Sequence, residues 1–215
     1  MSHVVVIGGT GYAGSAIAAE AAQRGHEVTA VSRSAPEEPR VGVSYVQGDV
    51  TDDATLASVI AGADIVVSAL APRGPLTGRF RAVTRAIARL ADAEHARLFV
   101  VGGFSSLRPA PGEPRFIEDP SGVPDAIRDE VQAGAALIIE DLPATPESLD
   151  WVFVSPAQGF GSFAPGETLG TYRLGGDVAV DPETGGAISA PDYAQGFVDL
   201  IESGDHHRAQ VNLAH

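Results

Sequence analysis

Within the first fifteen residues an apolar run, Val4-Val5-Val6-Ile7, stops at Gly8-Gly9-Thr10-Gly11-Tyr12-Ala13-Gly14 and passes directly into a helical pattern. That succession restricts the possible folds more than anything else in the chain. A run apolar at every position suits a strand covered on both faces. The glycines then supply a tight turn at Gly8, room for a ligand against the backbone at Gly11, and close packing of helix on sheet at Gly14. A helix opening on such a loop aims its free N–H groups at a bound pyrophosphate. In this strand–turn–helix context the GxxGxxG spacing predicts a dinucleotide site built from Gly8, Thr10, Gly11, Tyr12 and Ala13.

The alternation continues. Strands are expected at His3–Gly8, Glu27–Ser32, Ser44–Gln47, Asp64–Ala69 and Arg97–Val101, with helices at 11–24, 52–61 and 78–94. Phe80, Val83, Ile87 and Leu90 recur at steps of three and four, one apolar helical face. Asp52-Asp53 after Thr51 reads as a cap and an acidic first turn. Strands alternating with helices imply βαβ crossovers, hence an α/β chain with a doubly wound parallel sheet. From Gly103 to Pro124 the periodicity stops, in a stretch holding Pro109, Pro111, Pro114, Pro120 and Pro124. An excursion of that length is either a lid over a site or a surface loop. A helix near 125–142 and a strand at Asp150–Ser155 follow, and the glycine-rich 159–187 stretch predicts short hairpins. Ser189-Ala190-Pro191-Asp192 reads as a capping box whose helix buries Tyr193, Phe197, Leu200 and Ile201. Ala209–Leu213 reads as a last strand extending the sheet edge. With no repeat and no linker, a single domain over 1–215 is expected, 1–155 forming the cofactor-binding core and 156–215 a smaller substrate-side region.

Composition removes several chemistries. The 215 residues include no cysteine, and all 14 basic side chains are arginine. Schiff-base and P-loop lysines, the Tyr-x-x-x-Lys proton relay, thiol nucleophiles, disulfides and zinc–thiolate sites are therefore excluded. The adjacent His206 and His207 lack further ligands, and no metal is assigned. Net charge is −14. Residues 1–100 hold 9 Arg and 10 Asp/Glu, against 5 Arg and 18 Asp/Glu in residues 101–215, so the excess lies in the second half. No basic stripe offers itself to nucleic acid or an anionic membrane. No apolar run approaches the roughly 20 residues of a membrane span, and Val4–Ile7 is too short for a signal h-region. A cytoplasmic protein, monomer or homodimer, is expected.

The end of the second strand decides between cofactors. NAD enzymes usually carry Asp or Glu there for the ribose hydroxyls. This chain has Ser32-Arg33-Ser34, and a guanidinium pairs well with a phosphate, so NADP(H) is preferred over NAD(H). Arg40 lies in the same loop and assists or competes. Asp49 and Val50, ending the third strand, are candidates to flank the adenine. Ala69, Leu70 and Arg73 follow the fourth, where the nicotinamide ribose is expected, with Arg73 either on a phosphate or solvated.

These residues belong to a longer pattern: GGTGYAGSAI with RGHEVTAVSR, GDVTD, GADIVVSAL, VVGGFSSL with PG, DWVFVSPA, PGETLGTYRLGGD, ISAPDYA and HHRAQVNLAH. Nearly end to end, the chain resembles the atypical short-chain dehydrogenases called NADH-flavin reductases, related to biliverdin reductase B and more distantly to NmrA-like proteins. The resemblance implies a Rossmann domain binding NADPH, with a small C-terminal substrate region. It places Gly102 and Gly103 along the nicotinamide, Ser106 near the reacting carbon, the backbone of Pro156 and Ala157 on the carboxamide, and Gln158 in the substrate cleft. The biliverdin-reducing relatives have a histidine near Gln158, so tetrapyrrole reduction is not implied.

Of the four tyrosines, Tyr12 belongs to the glycine loop, Tyr193 to an apolar helical stripe, and Tyr172 is a candidate to reach the cleft; none has a lysine to depress its pKa. Hydride transfer to a flavin needs no protein acid, because the reduced ring can leave as an anion and take its proton from water. The missing relay therefore favours a flavin, quinone or similar planar conjugated small molecule over an isolated ketone, although Ser106, a water, Glu118 or Asp119 could also supply a proton. The acidic second half would repel anionic flavin mononucleotide unless Arg108 and Arg115 offset it. Two other readings fit the same residues: a non-catalytic NADP-sensing protein of the NmrA-like kind, and a reductase or isomerase dedicated to one pathway intermediate.

Overall fold

The computed structural model describes residues 1–215, Pro120 by its backbone alone. Eight strands form one sheet in the order β3-β2-β1-β4-β5-β6-β8-β7. They are β1 (His3–Ile7), β2 (Glu27–Ser32), β3 (Val43–Gln47), β4 (Ile65–Ser68), β5 (Arg97–Val101), β6 (Trp151–Pro156), β7 (Arg173–Gly175) and β8 (Ala209–Ala214). All neighbours are parallel except β7, which runs antiparallel to β8. This is a doubly wound Rossmann sheet, with the strand order reversing between β1 and β4, the usual ligand crevice. The expected edge position of Ala209–Leu213 is corrected: β8 lies beside β6, and β7 is the edge.

Strand side chains alternate between two cores, as a pleat requires. Val4 and Val6 join Val28, Phe99 and Val154 beneath helices α1 (Tyr12–Gln23) and α5 (Ala190–Ser203). Val5 and Ile7 join Val66, Leu98 and Phe153 beneath α2 (Asp53–Ile60), α3 (Phe80–Ala93) and α4 (Arg128–Ala136). The caps follow their sequence signals. Asp52 accepts the Thr55 N–H at 2.8 Å, and Ser189 opens α5 with Pro191 in its first turn. Tyr193, Phe197, Leu200 and Ile201 are all buried.

Three expectations give way to tertiary structure. The helix expected over 125–142 is broken: a 3-10 turn at Asp125–Ile127 precedes α4, and a π-helical turn at Leu137–Asp141 follows it. The wider turn, with Leu142 N–H donating to the Leu137 carbonyl at 2.8 Å, lets Leu137, Ile138 and Leu142 all bury. Arg81 of α3 holds it in place through Glu140 and Asp141. The hairpins expected in 159–187 reduce, among the described residues, to a bridge between Gly161 and Ala164; β7 pairs with β8 instead. The 103–124 excursion is pinned for part of its length. Leu107 is fully buried, and Arg108 makes a parallel bridge to Val178.

Candidate functional site

The candidate site lies along the carboxyl ends of β1, β4, β5 and β6, neighbours in the sheet. Gly8 has φ +86°, and a Cβ there would stand 2.6 Å from the Ala69 carbonyl oxygen, so the β1 turn presses directly on the end of β4. A Cβ on Gly14 would stand 2.3 Å from the Gly8 carbonyl oxygen, which brings α1 hard against the turn. A Cβ on Gly11 would meet only the Gly8 oxygen at 3.2 Å and otherwise face open space. Gly11 is the N-cap of α1 without a side-chain cap, leaving the first-turn N–H groups of Tyr12, Ala13 and Gly14 for an anion. Sequence reasoning missed Gly9, whose Cβ would stand 2.6 Å from that of Ala30.

A cleft of about 330 Å³ adjoins this loop, bounded by Thr10, Ser15, Ser34, Glu37, Glu38, Arg40 and Tyr45. Arg33, the expected phosphate ligand, is not in its lining. Arg40 takes that place, held by its backbone N–H donating to the Tyr45 hydroxyl at 3.0 Å. Gln47 Nε2 on the Arg33 carbonyl, at 2.8 Å, holds the loop beside β3. The Arg33 charge instead acts with that of Arg79 on Asp49, whose carboxyl is held below its usual range first by Thr51 hydrogen bonds and then by the two guanidiniums. Val50 is buried. The sequence separates Arg33 and Arg40 by loop position only, and a Pro-containing loop gives no rule for where each points.

Gly102 and Gly103 continue β5. A Cβ on Gly102 would lie 2.2 Å from the Phe153 ring, whereas one on Gly103 would meet nothing within 4 Å. The first glycine serves packing, and the second leaves a face open. Ala69 and Leu70 stand partly exposed beside Gly8, and Pro156 and Ala157 are buried at the end of β6. Gln158 is exposed just beyond, its N–H donating to the Gly185 carbonyl at 2.8 Å. Arg73 pairs with Glu130 of α4 at 2.7 Å, linking the loop after β4 to that helix.

The expected catalytic hydroxyls are both engaged. Ser106 is 1 % exposed, and its hydroxyl donates to the Gly103 carbonyl at 2.7 Å while accepting from Gln210 Nε2 at 2.9 Å. Tyr172 is a correction. Its hydroxyl donates to Asp199, the partner of Arg24, on the outer α1–α5 side and away from the strand ends. Burial and that carboxylate push its pKa up to about 12. Tyr12 turns its side chain away from the loop to pack edge-on against Phe160 at 5.1 Å and donate to the Pro165 carbonyl, so only its backbone faces an anion. The remaining hydroxyls belong to Tyr45, which meets Arg40, and Tyr193, which donates to the Val154 carbonyl at 2.8 Å from a fully buried position.

In the 103–124 excursion Arg108 pairs with Asp177 at 3.0 Å, and Arg115 donates to the Ser106 carbonyl and to Gln210 Oε1. Burial, with the neighbouring Arg108 charge, holds the Arg115 guanidinium below its usual pKa. Phe116 stacks on Phe104 with centroids 4.8 Å apart and borders a cavity of about 670 Å³ shared with Pro109, Pro114 and Glu118. Among the described residues no group of three His, Asp or Glu side chains could hold a metal ion, and no helix is long and apolar enough to cross a membrane.

Comparison with known proteins agrees with this geometry. The model of the NAD(P)H-binding family matches residues 8–203. The uncharacterized protein YwnB of Bacillus subtilis is 35 % identical over 211 residues, covering 97 % of this chain and 96 % of its own. A Bacteroides thetaiotaomicron structure provisionally named an epimerase superposes with a TM-score of 0.86 at 32 % identity, over 100 % of this chain and 97 % of that one. A Streptococcus pneumoniae structure provisionally named an NADH-flavin reductase does so with a TM-score of 0.81 at 31 % identity, over 100 % and 99 %. With the glycine loop, the uncapped α1 terminus and the adjoining cleft in place, the chain belongs to the NAD(P)H-binding family, within its atypical short-chain dehydrogenase and NmrA-like group.

Proposed function

We propose that the protein is an NADPH-dependent reductase that passes a hydride to a flavin, quinone or similar planar conjugated acceptor. The observation that carries this reading is the fate of the four tyrosines. Tyr12, Tyr172 and Tyr193 each donate their hydroxyl proton to a protein group, Tyr45 accepts from Arg40 at the cleft beside the glycine loop, and the chain contains no lysine. An isolated ketone needs a proton delivered as the hydride arrives, whereas an acceptor that delocalises the new charge does not. The NADH-flavin reductase name of the Streptococcus pneumoniae relative points the same way.

The residues fit a dinucleotide. The uncapped N–H groups of Tyr12, Ala13 and Gly14 would hold the pyrophosphate, with Gly11 leaving the space a Cβ would fill. Ser34 and Arg40 would meet a 2′-phosphate, and Arg33 would add charge from the Asp49 side. Glu37 and Glu38 line the same cleft and oppose part of that charge, so the expected preference for NADPH over NADH is moderate. Gly103 and the backbone of Pro156 and Ala157 would frame the nicotinamide, with Gln158 at the acceptor side. When bound, the cofactor supplies the hydride; the protein positions both partners and excludes water between them. The stacked Phe104 and Phe116 would offer a flat apolar surface next to Gly103, which Phe104 directly follows. Arg108 is paired with Asp177 while Arg115 bonds only neutral acceptors and keeps its charge, so the acidic second half is offset only in part, and neutral riboflavin or a neutral quinone is favoured over flavin mononucleotide.

The test follows NADPH oxidation optically with riboflavin, flavin mononucleotide, menadione, a simple ketone and buffer alone. Turnover with riboflavin or menadione but not the ketone is expected. Tight NADPH binding without turnover on any acceptor would refute the reading in favour of a sensor.

A further inference from the structure

Beneath the Gly102–Gly103 ledge lies a buried polar chain with a defined direction. Ser106 and Ser155 are 1 % and 0 % exposed, and Gln210 of β8 reaches both of them. Its Nε2 stands 2.9 Å from Ser106 Oγ and 3.0 Å from Ser155 Oγ, so the two amide hydrogens have one acceptor each. Its Oε1 stands 2.6 Å from Arg115 Nη1. A guanidinium only donates, so Arg115 dictates which end of the Gln210 amide faces the serines. Gln210 therefore donates into a lone pair of Ser106, and the single Ser106 proton goes to the Gly103 carbonyl at 2.7 Å, the shorter of its two other contacts, which leaves the second Ser106 lone pair to accept from Ser155 Oγ at 3.3 Å. The same Arg115 also donates to the Ser106 carbonyl, and Phe116 N–H donates to the Leu107 carbonyl at 2.9 Å. The 115–116 stretch of the excursion is thereby tied back to Ser106 and Leu107, just beyond the ledge.

We propose that Arg115 and Gln210 are positioning residues: they fix the polarity of a hydrogen-bond relay, Arg115 to Gln210 to Ser106 to the Gly103 carbonyl, that holds the Gly103 ledge in the orientation the nicotinamide end of the cofactor requires. This inference rests on the reading that Gly103 borders the nicotinamide. It makes Ser106 a support whose proton is committed to the backbone, rather than an acid for the acceptor. Five groups from four places in the chain meet here, Gly103 of β5's extension, Ser106 and Arg115 of the excursion, Ser155 of β6 and Gln210 of β8, which explains why the excursion is pinned where it is.

Gln210→Glu tests the relay with little change of volume. It keeps a carboxylate oxygen for Arg115, removes both donors, and draws the Ser106 proton away from Gly103. Ser106→Ala removes the last link alone and serves if the first variant folds poorly. Calorimetry would compare NADPH with adenosine 2′,5′-bisphosphate, which carries the adenine end but no nicotinamide. Each variant is expected to weaken NADPH about tenfold, the order of one net hydrogen bond, and to leave the fragment within about twofold. The double variant is expected to lose no more than the worse single one, because both break one chain. In the menadione assay kcat is expected to fall while the KM for menadione changes less. Equal weakening of NADPH and fragment, or no weakening of either, would overturn the relay. Should the unmutated protein turn over no acceptor, the reductase reading fails by itself, and the affinity ratio still decides on the relay.

Discussion

Asp192 stands in the first turn of α5 with 1 % of its surface exposed, and four donors converge on it. One oxygen accepts from Leu169 N–H at 2.8 Å, Ser189 Oγ at 2.7 Å and His215 Nε2 at 2.9 Å; the other accepts from Gly170 N–H at 2.8 Å. Replacing it by Asn keeps the shape and removes the charge. The amide oxygen can retain the three-donor side, but its NH2 must then face the Gly170 N–H. Two donors pointed at each other cost about 1–3 kcal/mol. Each of the three retained bonds falls from a charge-assisted to a neutral one, a loss of about 1 kcal/mol apiece. A neutral amide is cheaper to bury than a carboxylate, by about 2 kcal/mol or more for a group this enclosed. The net is a destabilisation of about 3 kcal/mol, which at about 2–4 °C per kcal/mol for a chain of this size lowers Tm by about 6–12 °C.

The same substitution carries a pH signature. Burial alone would raise the Asp192 pKa, but the hydrogen bonds from Leu169, Ser189, His215 and Gly170 together outweigh it, and the folded carboxyl lies below its usual value. A depressed folded pKa contributes stability above the unfolded value of about 3.9 that is lost as pH falls through the folded one. The Tm gap between the unmutated protein and Asp192→Asn should therefore be full at neutral pH and close below about pH 4. Thermal melts followed by circular dichroism from acid to neutral pH provide the assay, with hydrogen exchange at Leu169 and Gly170 reporting the local release. A Tm shift under about 2 °C at neutral pH, or a gap that widens in acid, would refute the accounting.

Arg40→Ala is expected to cut the NADPH-over-NADH affinity ratio about tenfold, and Arg33→Ala by less, as measured by calorimetry with both cofactors; equal affinities in the unmutated protein would contradict the assignment. Gly14→Ala forces a methyl onto the Gly8 carbonyl, where the available gap is 2.3 Å; a loss of about 1–3 kcal/mol in thermal or denaturant unfolding, together with weakened NADPH binding, is expected. Tyr172→Phe should leave kcat and KM unchanged, because its hydroxyl serves Asp199 on the outer helix pair; a kcat loss of tenfold or more would return Tyr172 to the site.

Much of the cofactor half is legible one element at a time. A strand, a glycine turn and a helix are contiguous in residues 3–23, so local sterics at Gly8 and Gly14 suffice to read them. Capping at Asp52 and Ser189 is equally local. The cluster around the 103–124 excursion is different. Gln210 sits on a strand with no motif around it, and its partners lie 55, 95 and 104 residues away along the chain. Ser106 carried a signal only through family resemblance, and that signal could not show that its hydroxyl meets Gly103, Ser155 and Gln210. Tyr172 looked available because its partner, Asp199, is 27 residues distant on a helix face that the pattern could not orient toward it.

By itself, then, the sequence determined the parallel α/β layering, the glycine turn between β1 and α1 and the exclusion of a lysine-assisted relay, because these depend on residue type and on spacing within a few turns of chain. Only the tertiary structure decided that β7 forms the sheet edge, that Arg40 and not Arg33 lines the cleft, that each tyrosine hydroxyl meets a protein group, and that Gln210 links Arg115 to Ser106. Those outcomes depend on which hydrogen-bonding group finds which partner across long loops, and that is settled when the sheet assembles rather than in any one segment.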